Sequence, residues 1–121
     1  MNNRNYGFLD QLSLYLDSKN TDRILEFLTD DCLLQAGNSE IVKGKEGIKQ
    51  IFDSFFPNVK NIEHDLTDSF ENGNSVVYRG TVTYTRLDDS TLTVPVCDVF
   101  KMEDNLIKEY YIYIDWSELF K

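Results

Sequence analysis

The sequence is poor in residues that bind metal ions, cross-link a chain or cradle phosphates. It has one histidine, His64, and two cysteines, Cys32 and Cys97, which are far apart and in no metal-ligand spacing. We therefore expect no metal site and two reduced thiols, as is typical of a reducing compartment. Gly44 and Gly47 do not form a Walker phosphate loop, and the sequence predicts no cofactor.

Cations and long apolar runs are also scarce. Twelve Lys and Arg residues face 21 Asp and Glu residues, which leaves a net charge of -9. Such a surface repels phosphate backbones and anionic lipids, so nucleic acids and membranes are poor partners. No run of residues is apolar enough to span a bilayer, and the N-terminus lacks the apolar core of a signal peptide. We expect a cytosolic (cytoplasmic) protein.

What is present fits one soluble domain over residues 1–121. The first half has helical spacing in "YGFLDQLSLYLDS", "NTDRILEFLTDD" and "GKEGIKQIFDSFFP". Asn20 or Thr21 can cap the second helix, in which we expect residues as far as Leu28 to pack inward, and Pro57 ends the third. "CLLQAG" and "EIVKG" are short strand candidates.

The second half alternates polar and apolar residues, which indicates strands. They are "NVKNIEHDLTDSF", "SVVYRGTVTYTR", "TLTVPVCDVFKM" and "LIKEYYIYIDW", separated by turn residues. Helices followed by an antiparallel meander predict an α+β fold with the helices on one face of a sheet. The more apolar sets should face the helices, namely Tyr78, Gly80, Val82 and Tyr84 on one strand and Tyr110, Ile112, Ile114 and Trp116 on the last.

Asp98 interrupts an apolar face of its own strand. The rest of that face is Leu92, Val94, Val96, Phe100 and Met102. Burial raises the pKa of a carboxyl group and favours the neutral acid, which can donate a hydrogen bond or a proton. The alternative is a structural carboxylate that bonds a buried tyrosine hydroxyl, the His64 ring or a backbone amide.

Other polar residues could assist Asp98. His64 lies on the apolar face of its strand and could turn inward to pair with Asp98, although a half-buried histidine bonded to backbone or solvent is the alternative. Tyr15 and Tyr84 are candidate auxiliary hydrogen-bond donors, and core packing is the alternative for each.

The order of these elements resembles the nuclear transport factor 2-like superfamily and, within it, the SnoaL-like group. The resemblance rests on "NTDRILEFLTDDCLLQ", "GKEGIKQIF" and "LIKEYYIYID", and it covers nearly the whole chain. It implies a cone in which a strongly curved sheet wraps around three helices and encloses an apolar pocket. It also implies pairing of two chains through the outer face of the sheet.

The resemblance carries over only part of a catalytic set. Asp98 falls where steroid isomerases of the superfamily carry an acid that donates to an oxyanion, a system that serves as the standard example of a neutral aspartic acid. It also falls where limonene-epoxide hydrolases carry an acidic residue. The isomerase base would fall at Ala36 and its tyrosine near Leu12, while the hydrolase Arg and second Asp would fall at Val96 and Ile112.

These inferences predict a protein that binds a small, largely apolar molecule and possesses an acid for isomerisation, dehydration, cyclisation or epoxide opening. Asp98, His64 and Tyr15 are the candidate catalytic residues. The candidate pocket residues are Leu12, Phe52, Phe55, Tyr78, Val82, Tyr84, Val96, Phe100, Tyr110, Ile112, Ile114 and Trp116. A non-catalytic binding or dimerisation module is the alternative.

The outward face of the sheet predicts a homodimer. Apolar and aromatic residues are interspersed among its polar residues. Together they form a larger apolar area than a monomer commonly exposes. We assign to this face Val77, Val99, Ile107, Tyr111 and Tyr113.

Overall fold

A computed structural model describes residues 7–120. Its helices are α1 (Gly7–Asp17), α2 (Thr21–Leu25) and α3 (Lys45–Phe55), with a 3-10 turn at Phe56–Asn58. Its strands are β1 (Leu28–Ala36), β2 (Val42–Lys43), β3 (Asn61–Asn72), β4 (Ser75–Thr85), β5 (Thr91–Glu103) and β6 (Leu106–Ile114). Tyr6, at which the predicted first helix begins, lies outside the described residues. Within residues 7–120, no helix is long and apolar enough to cross a membrane.

The six strands form one sheet in the order β2-β1-β6-β5-β4-β3. Neighbouring strands are antiparallel except β1 and β6, which are parallel, so the sheet is mixed. Helix α1 contacts β3, and α3 contacts β1 and β2. The predicted α+β cone, with helices from the first half and a meander from the second, is confirmed.

The second helix is shorter than its sequence pattern predicts. Asn20 caps it, because its side-chain oxygen accepts a hydrogen bond of 3.3 Å from the backbone N–H of Arg23. The helix ends at Leu25, and Leu28 already belongs to β1. The Phe27 carbonyl accepts a hydrogen bond of 2.7 Å from the backbone N–H of Ile107. This bond to β6 uses the carbonyl that would otherwise continue the helix.

A bulge in β6 corrects the expected orientation of Ile107. Lys101 pairs with Glu109, but Met102 pairs with Ile107, so Lys108 is an extra residue on β6. A one-residue bulge reverses which face the following side chains occupy. Ile107 is therefore fully buried in the core and not on the outward face.

A second bulge brings β3 unusually close to β4. Leu66 pairs with Gly80, whereas Asp68 pairs with Arg79, so β3 carries one extra residue between them. A Cβ atom added to Gly80 would lie 2.1 Å from the carbonyl oxygen of Asp65. Only glycine permits this approach of the two backbones, which bends the sheet beside the strand segment that carries His64.

Candidate functional site

The cone encloses a cavity of about 90 Å³ between α3 and the inner face of the sheet. Its lining is apolar except for a few polar groups, among them His64, Tyr84 and Asp98. The predicted pocket residues that line it are Phe52, Phe55, Val82, Tyr84, Val96, Tyr110, Ile112, Ile114 and Trp116. The structure thus brings two of the three candidate catalytic residues, Asp98 and His64, to one cavity.

Four of the predicted site residues lie away from the cavity. Leu12, Tyr78 and Phe100 are buried in the core, where the Phe100 ring packs 4.8 Å from that of Tyr110. Tyr15 packs beside Phe27, with ring centroids 6.1 Å apart. It does not line the cavity, so the structure does not support its role as a donor there.

The cavity also has walls that the sequence pattern did not indicate. They are Leu16, Leu34, Ala36, Ile51, Phe56 and Ile62, contributed by α1, β1, α3, the 3-10 turn and β3. The signal for Ile62 was present, since it stands two positions before His64 on the same strand face. The contribution of β1 depends on its parallel pairing with β6, which sequence alternation does not specify.

Asp98 is buried with no partner for one of its oxygens. Its side chain lies opposite Tyr78 on β4 and Ile112 on β6, and the residue is 2% exposed. Oδ1 has no hydrogen-bond partner among the described residues. Desolvation raises the pKa of this carboxyl group from 3.8 to about 8, so the neutral acid predominates at pH 7.

His64 turns inward, as the strand pattern indicates, but its partner is Asp17 and not Asp98. The His64 ring atom Nδ1 lies 2.5 Å from Asp17 Oδ1. The backbone N–H of His64 also donates to both oxygens of this carboxylate, at 3.2 and 3.1 Å. The structure contains no direct pair of His64 and Asp98, because the last residue of α1 occupies Nδ1 and no described residue bonds to Asp98 Oδ1.

Tyr78 lies close to both Asp98 and His64. It pairs with Asp98 across the β4–β5 ladder, and its ring centroid is 6.4 Å from that of His64. Its hydroxyl is buried and no described residue hydrogen-bonds to it with good geometry, although the Ser13 side chain is near enough to offset part of the rise in its pKa. Burial and then the charge of Asp98 raise the pKa of Tyr78, which remains a neutral phenol.

Aromatic residues close one end of the cavity. Trp116 Nε1 donates a hydrogen bond of 2.9 Å to the Tyr84 hydroxyl, and the Phe55 ring stacks on Trp116 at 5.1 Å. Burial raises the pKa of Tyr84 to about 12, so this hydroxyl stays protonated. Arg86 Nε donates to the Leu119 carbonyl at 2.8 Å, which holds the turn that follows Trp116 against the sheet.

The positions at which the resemblance places the missing catalytic groups do line this cavity. Ala36, Val96 and Ile112 all contact it, and Ile112 pairs with both Ala36 and Asp98 in the sheet. Their side chains are hydrocarbons, so neither an isomerase base nor a hydrolase Arg–Asp pair is available there. Among the described side chains, no group of three or more His, Cys, Asp or Glu is placed to hold a metal ion.

This cone, with its buried acid, has the architecture of the nuclear transport factor 2-like superfamily. The sequence profile of the SnoaL-like domain matches residues 10–110, and the chain belongs to this family. No protein with a curated description matches the sequence.

Solved structures with similar folds share little sequence with this chain. A nuclear transport factor 2-like protein of unknown function from Burkholderia pseudomallei has a TM-score of 0.85 at 13% identity, covering 95% of this chain and 93% of its own. TerC, co-crystallised with polyporic acid, has a TM-score of 0.78 at 18% identity, covering 88% of each chain. An LEH-like epoxide hydrolase from M. tuberculosis has a TM-score of 0.76 at 18% identity, covering 93% of this chain and 83% of its own. At these identities the likeness is one of fold.

Proposed function

We propose that the protein binds a small, largely apolar organic molecule in the cavity and assists a reaction on it through Asp98. The observation that carries this proposal is the buried carboxyl group, which is neutral at pH 7 and has an unpartnered Oδ1 in an apolar wall. A buried polar atom without a partner is costly, and such costs are retained most often at functional sites. A ligand carbonyl, hydroxyl or epoxide oxygen would supply the partner.

The reaction is then one in which negative charge develops on an oxygen. Isomerisation, dehydration, cyclisation and epoxide opening all share this feature, and a neutral acid stabilises it by donating a hydrogen bond or a proton. The similar folds of TerC, which was co-crystallised with polyporic acid, and of the M. tuberculosis epoxide hydrolase support a small organic ligand for this chain. Hydrocarbon side chains at Val96 and Ile112 argue against transfer of the hydrolase mechanism as a whole.

The size of the cavity limits the ligand. Drug-sized ligands occupy pockets of roughly 300–1,000 Å³, and a dry engineered cavity of about 150 Å³ holds one benzene. A cavity of about 90 Å³ therefore suits a ligand of only several heavy atoms, or the polar end of a longer one. Longer ligands would extend past the partly exposed rings of Phe55 and Trp116.

A non-catalytic binding or dimerisation module is the second candidate. It is favoured by the same small cavity and by Ala36 at the position of the isomerase base. The two candidates differ in whether Asp98 is needed for turnover or only for binding.

Blocking the cavity should abolish ligand binding without unfolding the protein. The Ile112→Phe side chain would enter the space beside Asp98. Small cyclic ketones, epoxides and alkenes should raise the melting temperature of wild type and quench Trp116, the only tryptophan, but should leave Ile112→Phe unchanged. Glu63→Phe, on the outward face of β3, is the control and should bind like wild type. Binding that survives in Ile112→Phe would place the site elsewhere.

We further propose that the protein is a homodimer, paired through the outer face of the sheet. With Ile107 buried, that face still carries Val77, Val99, Tyr111 and Tyr113, and Tyr113 is 54% exposed. Light scattering at micromolar concentration should report twice the monomer mass, and Tyr113→Lys should shift the equilibrium to monomer by placing a charge on the apolar outer face. A monomeric wild type would refute the dimer.

We also propose that the protein is located in the cytosol, because its two cysteines are unpaired, as is typical of a reducing compartment.

A further inference from the structure

Asp17 gives His64 a defined orientation. The carboxylate of Asp17 can only accept hydrogen bonds, so the Nδ1 atom that lies 2.5 Å from it is the protonated nitrogen whenever the ring is neutral. In that tautomer the other nitrogen, Nε2, carries the free lone pair and can accept a proton. A carboxylate that orients a histidine in this way is the usual support of a histidine base.

The position of Asp17 is fixed from two sides. Its two oxygens accept the backbone N–H of His64, and the His64 side chain is only 11% exposed. Two residues beyond Asp17, Lys19 Nζ donates to the Val59 carbonyl at 2.6 Å, which ties the end of α1 to the segment before β3. The pair is therefore held by backbone contacts as well as by the ring.

His64 and Asp98 reach the same cavity from different strands. His64 is on β3 and Asp98 on β5, with β4 between them, and both side chains line the cavity of about 90 Å³. They do not bond to each other, so each keeps its own proton-transfer capacity. A ligand that fills so small a space meets both walls.

We propose that His64 is a catalytic base that works opposite Asp98, with Asp17 as its positioning residue, on small ketones or enones that carry an acidic C–H bond. The inference rests on the proposed function and adds the base that Ala36 cannot supply. It narrows the reaction to proton transfer beside a carbonyl group.

The step is balanced by the two side chains alone. His64 Nε2 takes the proton from the carbon next to the carbonyl, and the electron pair of that C–H bond becomes the new C=C bond. The carbonyl π pair takes the proton of Asp98, which leaves an enol, an imidazolium and a carboxylate. Return of a proton from His64 to the same or a conjugated carbon, with Asp98 reclaiming its own, gives exchange or isomerisation.

The tautomer can be measured directly because the chain has one histidine. A long-range proton–nitrogen correlation spectrum of tag-free protein should be recorded at a pH high enough for the His64 ring to be neutral. It should show Nδ1 protonated and Nε2 unprotonated. Asp17→Asn should lose this preference, whereas Asp53→Asn, which removes a carboxylate outside the cavity, should keep it. A wild-type ring protonated on Nε2 would overturn the proposal.

Activity is tested with cyclopentanone in heavy water. Wild type should speed the loss of the proton signal next to the carbonyl, His64→Gln should lower the exchange rate at least roughly 100-fold, and Asp17→Asn roughly tenfold. Asp17→Asn should lower the turnover number with little change in the concentration for half-saturation, which a loss of structure would not do. Asp53→Asn should match wild type.

Failure of this inference can be separated from failure of the proposed function. If His64→Gln exchanges protons at the wild-type rate while Asp98→Asn does not exchange them, the role of Asp98 as an acid stands and the role of His64 as a base is wrong. Cyclopentanone that binds to wild type without exchange would also overturn the base. A wild type that shows neither a thermal shift nor Trp116 quenching with cyclopentanone or any other small ligand would refute the proposed function, and the base with it.

Discussion

Asp98→Asn should become more stable relative to wild type as the pH rises from about 4 to 7. The amide does not ionise, and it preserves the shape and one hydrogen-bond donor. In wild type, Asp98 must either stay protonated or become a buried carboxylate whose Oδ1 atom has no hydrogen-bond partner. Urea or thermal unfolding of both proteins at the two pH values gives the difference.

The sign follows from proton linkage. The pKa of Asp98 is about 8 in the folded protein against an ordinary value of 3.8. Between these values the folded state holds a proton that the unfolded state has lost, so the free energy of unfolding falls as the pH rises, by up to ~1.4 kcal/mol per pH unit. The contribution is complete below the unfolded pKa and fully lost above the folded one. The relative gain of the mutant by pH 7 is on the order of 3 kcal/mol.

A carboxylate of the opposite kind provides the control. Hydrogen bonds from Lys49 and Thr21 lower the pKa of Asp53 below its ordinary value of 3.8, so Asp53→Asn should be less stable than wild type by nearly the same amount at pH 4 and pH 7. If Asp98→Asn is relatively weaker at pH 7 than at pH 4, Asp98 is an ionised structural carboxylate and its role as a donor is wrong. Any turnover that needs the Asp98 proton should disappear in the mutant.

The alternation of apolar residues was enough to predict the inward faces of β4 and β5. β4 and β5 follow it from end to end, so the inward direction of Tyr84, Val96 and Asp98 was readable from sequence. The alternation works because every residue of a regular strand must choose between the core and the outside. The family resemblance then supplied the wrapping of the sheet around the helices.

Local alternation could not reveal the features that depend on register or on distant pairing. The bulge at Lys108 reverses the face of Ile107, and no residue type announces it. The pair of Asp17 and His64 joins residues 47 positions apart, at the end of a helix and within a strand. Its discovery requires the angle at which α1 crosses β3, which is decided by packing of the whole cone.

Gly80→Ala should be one of the most destabilising single substitutions in the protein. The new Cβ would lie 2.1 Å from the Asp65 carbonyl oxygen, a backbone atom that cannot rotate away. Overpacking of this kind costs about 1–3 kcal/mol and more where backbone must move, so we expect roughly 3 kcal/mol or more in urea unfolding. Gly73→Ala is the matched control, since its φ of +62° is strained for alanine but no atom lies within 4 Å of the added Cβ.

The same substitution should also disturb the site, because Asp65 follows His64 directly on β3. Pushing β3 away from β4 moves the His64 backbone N–H and ring from Asp17, so the Nδ1-protonated tautomer should lose its preference in Gly80→Ala. Gly73→Ala, at the β3–β4 turn, should cost only about 1 kcal/mol and leave the His64 spectrum unchanged. Equal costs for the two variants would show that β3 can yield to a methyl group at this bulge, and that the bulge does not hold His64 in place.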